Sequence, residues 1–518
     1  MNNQNLSQFQ PSLFHPDHFT LTFELVPSRG GRSKKHARTL EMARRIARDG
    51  RIQAVSITEN AGGHSALSPE VLGVEIRDMG LEVIIHFSCK DKNRNQMESI
   101  LFAWDRLRLR NLLVITGDYP QPGYQGLPKP VFDLGSVHVL DLLGRMNQGR
   151  FNGDETTLQP EPIHPTSFFK GVALSPFKRL ESELFMQYFK LHRKAAAGAD
   201  YVITQIGFDA RKFEEVLLYM RQWGLNLPVL GNVFVPNLTV TEYMYQGKVP
   251  GCVIPKKLYQ EMQREASSPD KGKKARLRRA AKLLSILKGL GYAGAHIGGP
   301  GLVFEDLDFL LNVAEDIAPR WRSFIPELSY WFDDAFYLYR KDETTGLNNP
   351  AAETGSSHQG LPPFHYLFSR LVHDSAFQPT GPLYRPVKNL CLALDRLFQG
   401  KPLDRGEHLL KFLLFRCRNC GDCTLAELAY LCPQSGCAKY LFNGACGGSR
   451  DGWCEVYPGE KRCFFVRIYE RLKRAGACES MMQGLIPPRN WELNGTSSWA
   501  NYFRQKDHTS IIPDRSKL

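Results

Sequence analysis

The chain is predicted to be an α/β protein, a closed (β/α)8 TIM barrel followed by a smaller cysteine-rich metal-binding domain. Three observations carry this prediction. Short β-rich runs alternate with longer amphipathic stretches, the strand candidates reach eight, and eight of the twelve cysteines crowd into Cys417–Cys463. Alternation of β and α implies a parallel sheet with helices on its faces, and eight such units suggest closure into a barrel. An open doubly wound sheet is the runner-up. It requires a glycine-rich first turn to hold a dinucleotide, and no G-x-G-x-x-G follows the early strands. The expected domains are 1–320, a linker at 321–362, and 363–518.

The strand candidates are Thr20–Val26, Gln53–Thr58, Glu82–Phe87, Leu112–Thr116, Gly171–Leu174, Tyr201–Ile206, Pro228–Asn232 and Gly294–Gly298. Helical patterns at Ala37–Asp49, Pro69–Met79, Asn95–Leu107, Glu181–Ala197 and Phe213–Trp223 separate them. Barrel chemistry sits at the C-terminal ends of the strands. The polar residues there are Glu24, Thr58, His86, Thr116-Gly117-Asp118, Gln205, Asn232 and His296. A carboxylate among apolar strand residues is costly unless paired or protonated, so Glu24 is expected to have a raised pKa and to suit a general acid. The bland alternative makes it the buried partner of an arginine. Thr116-Gly117-Asp118 offers a hydroxyl, bare backbone and a carboxylate to a planar polar ring. His86 alone fits a satisfied core histidine as readily as a ligand.

Composition narrows the class. With 42% hydrophobic and 23% charged residues the chain is ordinary for a soluble globular protein. No apolar run of about 18 residues predicts a membrane span. Met1–Thr20 lacks a secretory signal's pattern, so a cytoplasmic location is expected. In that compartment clustered cysteines are metal ligands or redox groups before they are disulfides. The net charge of +13 concentrates in Lys271–Lys282, whose leucines continue at helical spacing. That pattern fits the solvated face of a surface helix. It lacks the interleaved aromatics of a nucleic-acid groove, so no nucleic-acid partner is expected.

Beyond an eighth helix over Asp306–Ile317, Lys341–Pro362 is rich in Gly, Ser, Thr, Asn and Pro and is read as a linker. Helical patterns resume at Val387–Phe398 and Glu407–Phe415. Candidate metal ligands then follow at Cys417, Cys420, Cys423, Cys432, Cys437, Cys446, Cys454 and Cys463. Cys-x2-Cys-x2-Cys lets three thiolates converge on one [4Fe–4S] cube, and Cys432-Pro433 echoes the Cys-Pro of ferredoxins. The fourth cysteine comes later than in ferredoxins. Two tetrahedral zinc sites are the alternative.

Four barrel pieces resemble methylenetetrahydrofolate reductase: Phe23-Glu-Leu-Val-Pro27, Thr116-Gly-Asp-Tyr-Pro120, Gly198–Asp209 and Leu227–Asn232. The resemblance implies a non-covalent flavin, FMN or FAD, over the barrel mouth, passing hydride to 5,10-methylenetetrahydrofolate. By motif, Glu24 would protonate N10 of the folate and open the ring to an iminium. Asp118 would hydrogen-bond the pterin and tune the flavin. Gln205 and Asn232 would contact substrate. Thr58, His86, Thr116, Gly117, Asp118 and Ala173 would line the flavin, with Arg193 and Lys194 at its phosphate. The family often has arginine where Thr116 stands, and a common tyrosine is replaced around Ser175. The long loop Tyr119–Lys170 is a candidate cover for the folate.

The cysteine region resembles the iron–sulfur-type partner subunit of this reductase in anaerobic bacteria, here fused behind the barrel. Cys417–Cys423, Leu431-Cys-Pro433 with Cys437, Leu441–Gly448 and Gly452-Trp-Cys-Glu455 carry that resemblance, and the family's Asn-Gly-Pro-Cys is Asn443-Gly-Ala-Cys446 here. It implies reduction of methylenetetrahydrofolate to 5-methyltetrahydrofolate, as in methionine biosynthesis. Electrons would come from NAD(P)H, or through the cysteine module from a donor protein such as a ferredoxin or a nicotinamide-oxidising subunit. A homo-oligomer is compatible with it. The rival readings are a zinc-stabilised docking module and a folate-dependent methyl-transfer protein without flavin.

Overall fold

The computed structural model describes residues 8–150, 164–355, 360–397 and 401–511, with the side chains of 401 and 402 excepted. Eight parallel strands close in sequence order: β1 (Thr20–Leu25), β2 (Ala54–Ile57), β3 (Glu82–Ser88), β4 (Asn111–Ile115), β5 (Phe169–Leu174), β6 (Tyr201–Thr204), β7 (Val229–Phe234) and β8 (Gly294–Gly298). The seam between β8 and β1 registers Thr22 against His296, which brings the two ends of the barrel sequence together.

Strand alternation sorts the side chains. Phe23, Val55, Ile85, Val114, Val172, Val202, Val233 and Ile297 pack outward against the helices. Ala54, Ile84, Leu113, Phe169, Tyr201, Ile203 and Leu230 fill the interior. A Cβ on Gly171 would lie 2.2 Å from the Tyr201 ring, so glycine there admits the tyrosine, whose hydroxyl donates to the Leu112 carbonyl at 2.9 Å. The helix Phe9–Phe14 belongs to this core. Phe9 is fully buried edge-on to Phe169 and Tyr201. It plugs the N-terminal end of the barrel and leaves the opposite end for ligands.

Outer helices start where short polar side chains cap them: Ser33, Asn93, Asp209 and Asn237 each accept a backbone N–H of the first turn. The basic run lies on the helix Lys273–Leu290, as expected of a surface helix. Arg279 is buried between Glu261 and Glu265, and Lys273 and Lys282 pair with Asp306 and Glu327. No helix among the described residues is long and apolar enough to cross a membrane.

The expected linker is partly structured. Tyr339–Lys341 and Asn348–Glu353 form an antiparallel hairpin, β9 and β10. It docks on the helix Ala210–Gln222, where Glu214 accepts from the Asn348 backbone N–H at 2.7 Å and from its side-chain amide at 2.9 Å. Residues 356–359 of that segment lie outside the described residues, as do 151–163 of the long loop. The rest of that loop contains the helix Ser136–Asn147.

The cysteine module has its own core around Phe464, Phe465, Ile468 and Leu472, into which Met186 and Phe189 of the barrel helix Glu181–Ala196 also reach. Phe185 stacks on Tyr469 at 5.8 Å, and Glu181 accepts from the Tyr469 hydroxyl and pairs with Lys473. The module therefore sits over one side of the barrel mouth.

Candidate active site at the barrel mouth

A cavity of about 1250 Å³ opens at the C-terminal ends of the strands. Its barrel wall carries Glu24, Thr58, His86, Thr116, Gly117, Asp118, Ala173, Lys194 and Gln205. The opposite wall belongs to the module and includes Lys439, Cys446, Trp453, Cys454 and Glu455. Of the barrel residues expected at the site, Asn232 and Arg193 are not on this wall. Asn232 takes its backbone N–H to the Thr204 hydroxyl, and its Oδ1 is buried without a hydrogen-bond partner among the described residues. Arg193 is directed at the module, reaching Asn443 Oδ1 and the carbonyls of Phe442 and Gln483.

Glu24 lies on β1 with its carboxylate 3.9 Å from His296 Nε2, across the β1–β8 seam. Burial pushes this carboxyl up, but the His296 ring alongside outweighs burial and holds it below the usual range. The expectation of a raised pKa is corrected accordingly. What reverses the sign is a histidine 272 positions further along the chain, brought alongside by barrel closure. Thr22 and Ser56 fix the His296 ring at 2.8 and 3.4 Å. Burial lowers His86 to about 4, which makes it a neutral imidazole, and its Nε2 has no hydrogen-bond partner among the described residues. One ligand atom each from Glu24, His86 and His296 lie within 4.8 Å of one another.

Where β4 ends the chain turns sharply through Gly117 at φ +87°, and a Cβ there would lie 2.2 Å from Ser88 Oγ. The Thr116 hydroxyl accepts from Lys190 Nζ at 3.3 Å, and the Gly117 carbonyl accepts from Lys439 Nζ at 2.6 Å. Asp118 accepts the Gly62 N–H at 2.9 Å. Burial raises its carboxyl, against the pull of Lys439.

The cavity suits a polar, planar, anionic ligand. Thr58 Oγ1, His86 Nε2 and Gln187 Nε2 are buried on its wall with no hydrogen-bond partner among the described residues. Buried polar atoms are normally satisfied, so these three are free for a ligand. Lys190 and Lys194 are buried on the same wall and, among the described residues, donate to neutral oxygens: Thr116 Oγ1 and the Ala445 carbonyl for one, the Ala173 carbonyl for the other. Burial lowers both, Lys190 to about 8, which an anionic group alongside would reverse. A ligand with an anionic group and a hydrogen-bonding ring would supply both that charge and partners for the orphaned atoms. Sequence reasoning had Lys194 but missed Lys190 and Gln187. Their spacing at 187, 190 and 194 on one helix face was the available signal.

The eight cysteines divide into two groups. Cys417, Cys420, Cys423 and Cys432 wall one small cavity, beside Lys411 Nζ at 3.5 Å from Cys423 Sγ. Cys437, Cys446, Cys454 and Cys463 form the second group, whose thiols bear electrostatically on one another. Cys446 and Cys454 also line the barrel cavity. Burial pushes Cys420 and Cys463 up to about 12, for Cys420 against the pull of Arg489. A metal would invert that. Among the described residues no three cysteine sulfurs lie within 4.8 Å of one another. A tetrahedral zinc–thiolate site brings its sulfurs to about 3.8 Å, given Zn–S near 2.3 Å.

A family model described as "Methylenetetrahydrofolate reductase" matches residues 12–297, more than half of the chain. The chain belongs to the methylenetetrahydrofolate reductase family. A second model, "Methylene-tetrahydrofolate reductase C terminal", matches residues 400–492, so the cysteine module is that family's C-terminal domain. Among individual relatives, "Methylenetetrahydrofolate reductase 2" of Saccharomyces cerevisiae is 25% identical over 209 residues, covering 39% of this chain and 32% of that protein. The "5,10-methylenetetrahydrofolate reductase" of Salmonella typhimurium is 24% identical over 213 residues, covering 41% and 60% respectively. The matched stretch thus spans about a third of the yeast protein and 60% of the bacterial one. A solved structure from Clostridium thermocellum, described as binding two copies of 5-methyl-5,6,7,8-tetrahydrofolic acid, aligns with a TM-score of 0.40 at 13% identity over 60% of this chain and 98% of that one.

Proposed function

We propose that this chain reduces 5,10-methylenetetrahydrofolate to 5-methyltetrahydrofolate at a flavin held in the barrel mouth, and that the cysteine module feeds electrons to it. One observation carries the reading: a single cavity has the family's acid and flavin-lining residues on one wall and two cysteines of the second thiol group on the other. A bound flavin, FMN or FAD, supplies the hydride chemistry. Thr58, His86, Thr116–Asp118 and Ala173 would hold its ring, and Lys194 with Lys190 its phosphate.

Glu24 is the proton donor to the folate nitrogen. It starts as a carboxylate held by His296 and must be protonated before it donates. A ligand that displaces water from the 25% of its side chain now exposed deepens its burial, which raises its pKa. Gln205, at the end of β6, is the polar contact for the pterin. Each group of four thiols offers a ligand set for an iron–sulfur cluster, with zinc as the alternative. Electrons would arrive from a ferredoxin-like protein or a nicotinamide-oxidising subunit.

The test is the absorbance spectrum and metal content of anaerobically purified protein. Flavin bands with broad absorption near 400 nm that bleaches with dithionite are expected. Zinc without iron would remove the electron-input role, and absence of flavin would remove the reductase. E24Q should leave flavin reduction intact and abolish folate reduction. Loss of both would make Glu24 structural.

A further inference from the structure

We infer that Lys439, a residue of the cysteine module, is a positioning residue of the barrel's flavin site. The inference rests on the flavin reading above and deepens it. The turn after β4 leaves regular structure at Thr116, and its direction is not set by the sheet. The Gly62 N–H holds Asp118, and two ammonium groups, one from each part of the chain, hold the residues before it. Lys190 joins Thr116 Oγ1 to the Ala445 carbonyl, and Lys439 donates to the Gly117 carbonyl at 2.6 Å.

Lys439 is only 3% exposed and is ion-paired to Glu455, itself buried. Both members of the pair lie on the cavity wall. Lys439 follows Cys437 by two residues, and Glu455 directly follows Cys454. A Cβ on Gly448 would strike the Glu455 carboxylate, so the Cys446-Gly-Gly loop is shaped to let that carboxylate reach the lysine. The module therefore completes the site. Its ammonium fixes where Gly117 stands, and its charge lies beside the cavity that takes the ring.

Flavin fluorescence quenching measures FMN affinity on the full chain with intact metal content. K439M is expected to weaken FMN about tenfold, the loss of one charge-assisted hydrogen bond, and to move the flavin midpoint potential negative. K439R should stay within about threefold of the wild type. E455Q, which keeps the hydrogen bond to Gly117, should also bind FMN within about threefold. FMN affinity and potential unchanged in K439M would overturn the inference. Loosening by E455Q equal to that of K439M would also overturn it, since packing alone would then explain both. A wild-type chain that binds no FMN would overturn the flavin reading itself, and with it this inference.

Discussion

Lys178 offers the sharpest test of how the two parts are joined. It is 2% exposed, and its ammonium donates to the carbonyls of Gly447 at 2.5 Å and Ser449 at 2.7 Å, on the loop that carries Cys446. K178M keeps the apolar stem and removes both bonds. Each hydrogen bond to a charged group contributes about 1.5–3 kcal/mol, so the pair sets a range of about 3–6 kcal/mol. The loop borders an open cavity, where water can satisfy a freed carbonyl, so the lower end applies. About 3 kcal/mol corresponds to roughly a 100-fold rise in local opening. Hydrogen exchange followed by mass spectrometry, on peptides covering 444–456 in the full chain, reads this directly. The expected result is exchange about 100-fold faster there, with the barrel strands unchanged. Unaltered protection of that loop, or a uniform rise across the chain, would refute the reasoning.

Three further outcomes test other joints. G207A places a Cβ 2.0 Å from the Phe177 ring, and overpacking of this kind should lower stability by about 1–3 kcal/mol in urea melts. Burial raises Asp209 to about 6 from 3.8. A group with a raised folded-state pKa gives stability that is complete below its unfolded value and lost as pH rises through the folded one. Stability should therefore fall between pH 4 and 6, by at most about 3 kcal/mol, and D209N, which can still cap its helix, should flatten that stretch of the melting-against-pH curve. His508 is buried between Asp422 at 2.5 Å and Glu427 at 3.1 Å, tying the C-terminal segment to the first cysteine loop. H508Q leaves two carboxylates without their cation. It should cost about 3 kcal/mol, read in urea melts of the full chain.

Much of the barrel was readable because strand period and βα alternation are local signals. Thr20, Thr22 and Glu24 alternate inward while Phe23 and Leu25 face the helices, and the sequence alone shows that pattern. The hairpin at 339–353 was read as linker because its Gly, Thr and Asn content is that of a loop. Its order comes from Glu214 gripping Asn348, a contact 134 residues apart. The plug helix Phe9–Phe14 is too short for a periodic signal. Glu24's residue type pointed to an acid, but the direction of its shift depends on His296 across the β1–β8 seam. Lys178, Lys439 and Glu455 had no local signature, since their roles are defined only by the other half of the chain.

Lys178, Lys190 and Arg193 all hold the module by its backbone carbonyls: Gly447 and Ser449, Ala445, and Phe442 and Gln483. Every residue type presents a carbonyl. These bonds fix the backbone path, so one inserted or deleted residue within 442–449 would shift the Ala445, Gly447 and Ser449 carbonyls out of reach. Residue type is fixed as well at Asn443, whose Oδ1 accepts from Arg193, and at Gly448, where a Cβ would strike Glu455. The same joint constrains engineering: a barrel cut free after residue 320 would lose the carbonyl acceptors of Lys178 and Arg193 and leave Lys190 with Thr116 Oγ1, and a transplanted module would have to match it in backbone path before it matched it in sequence.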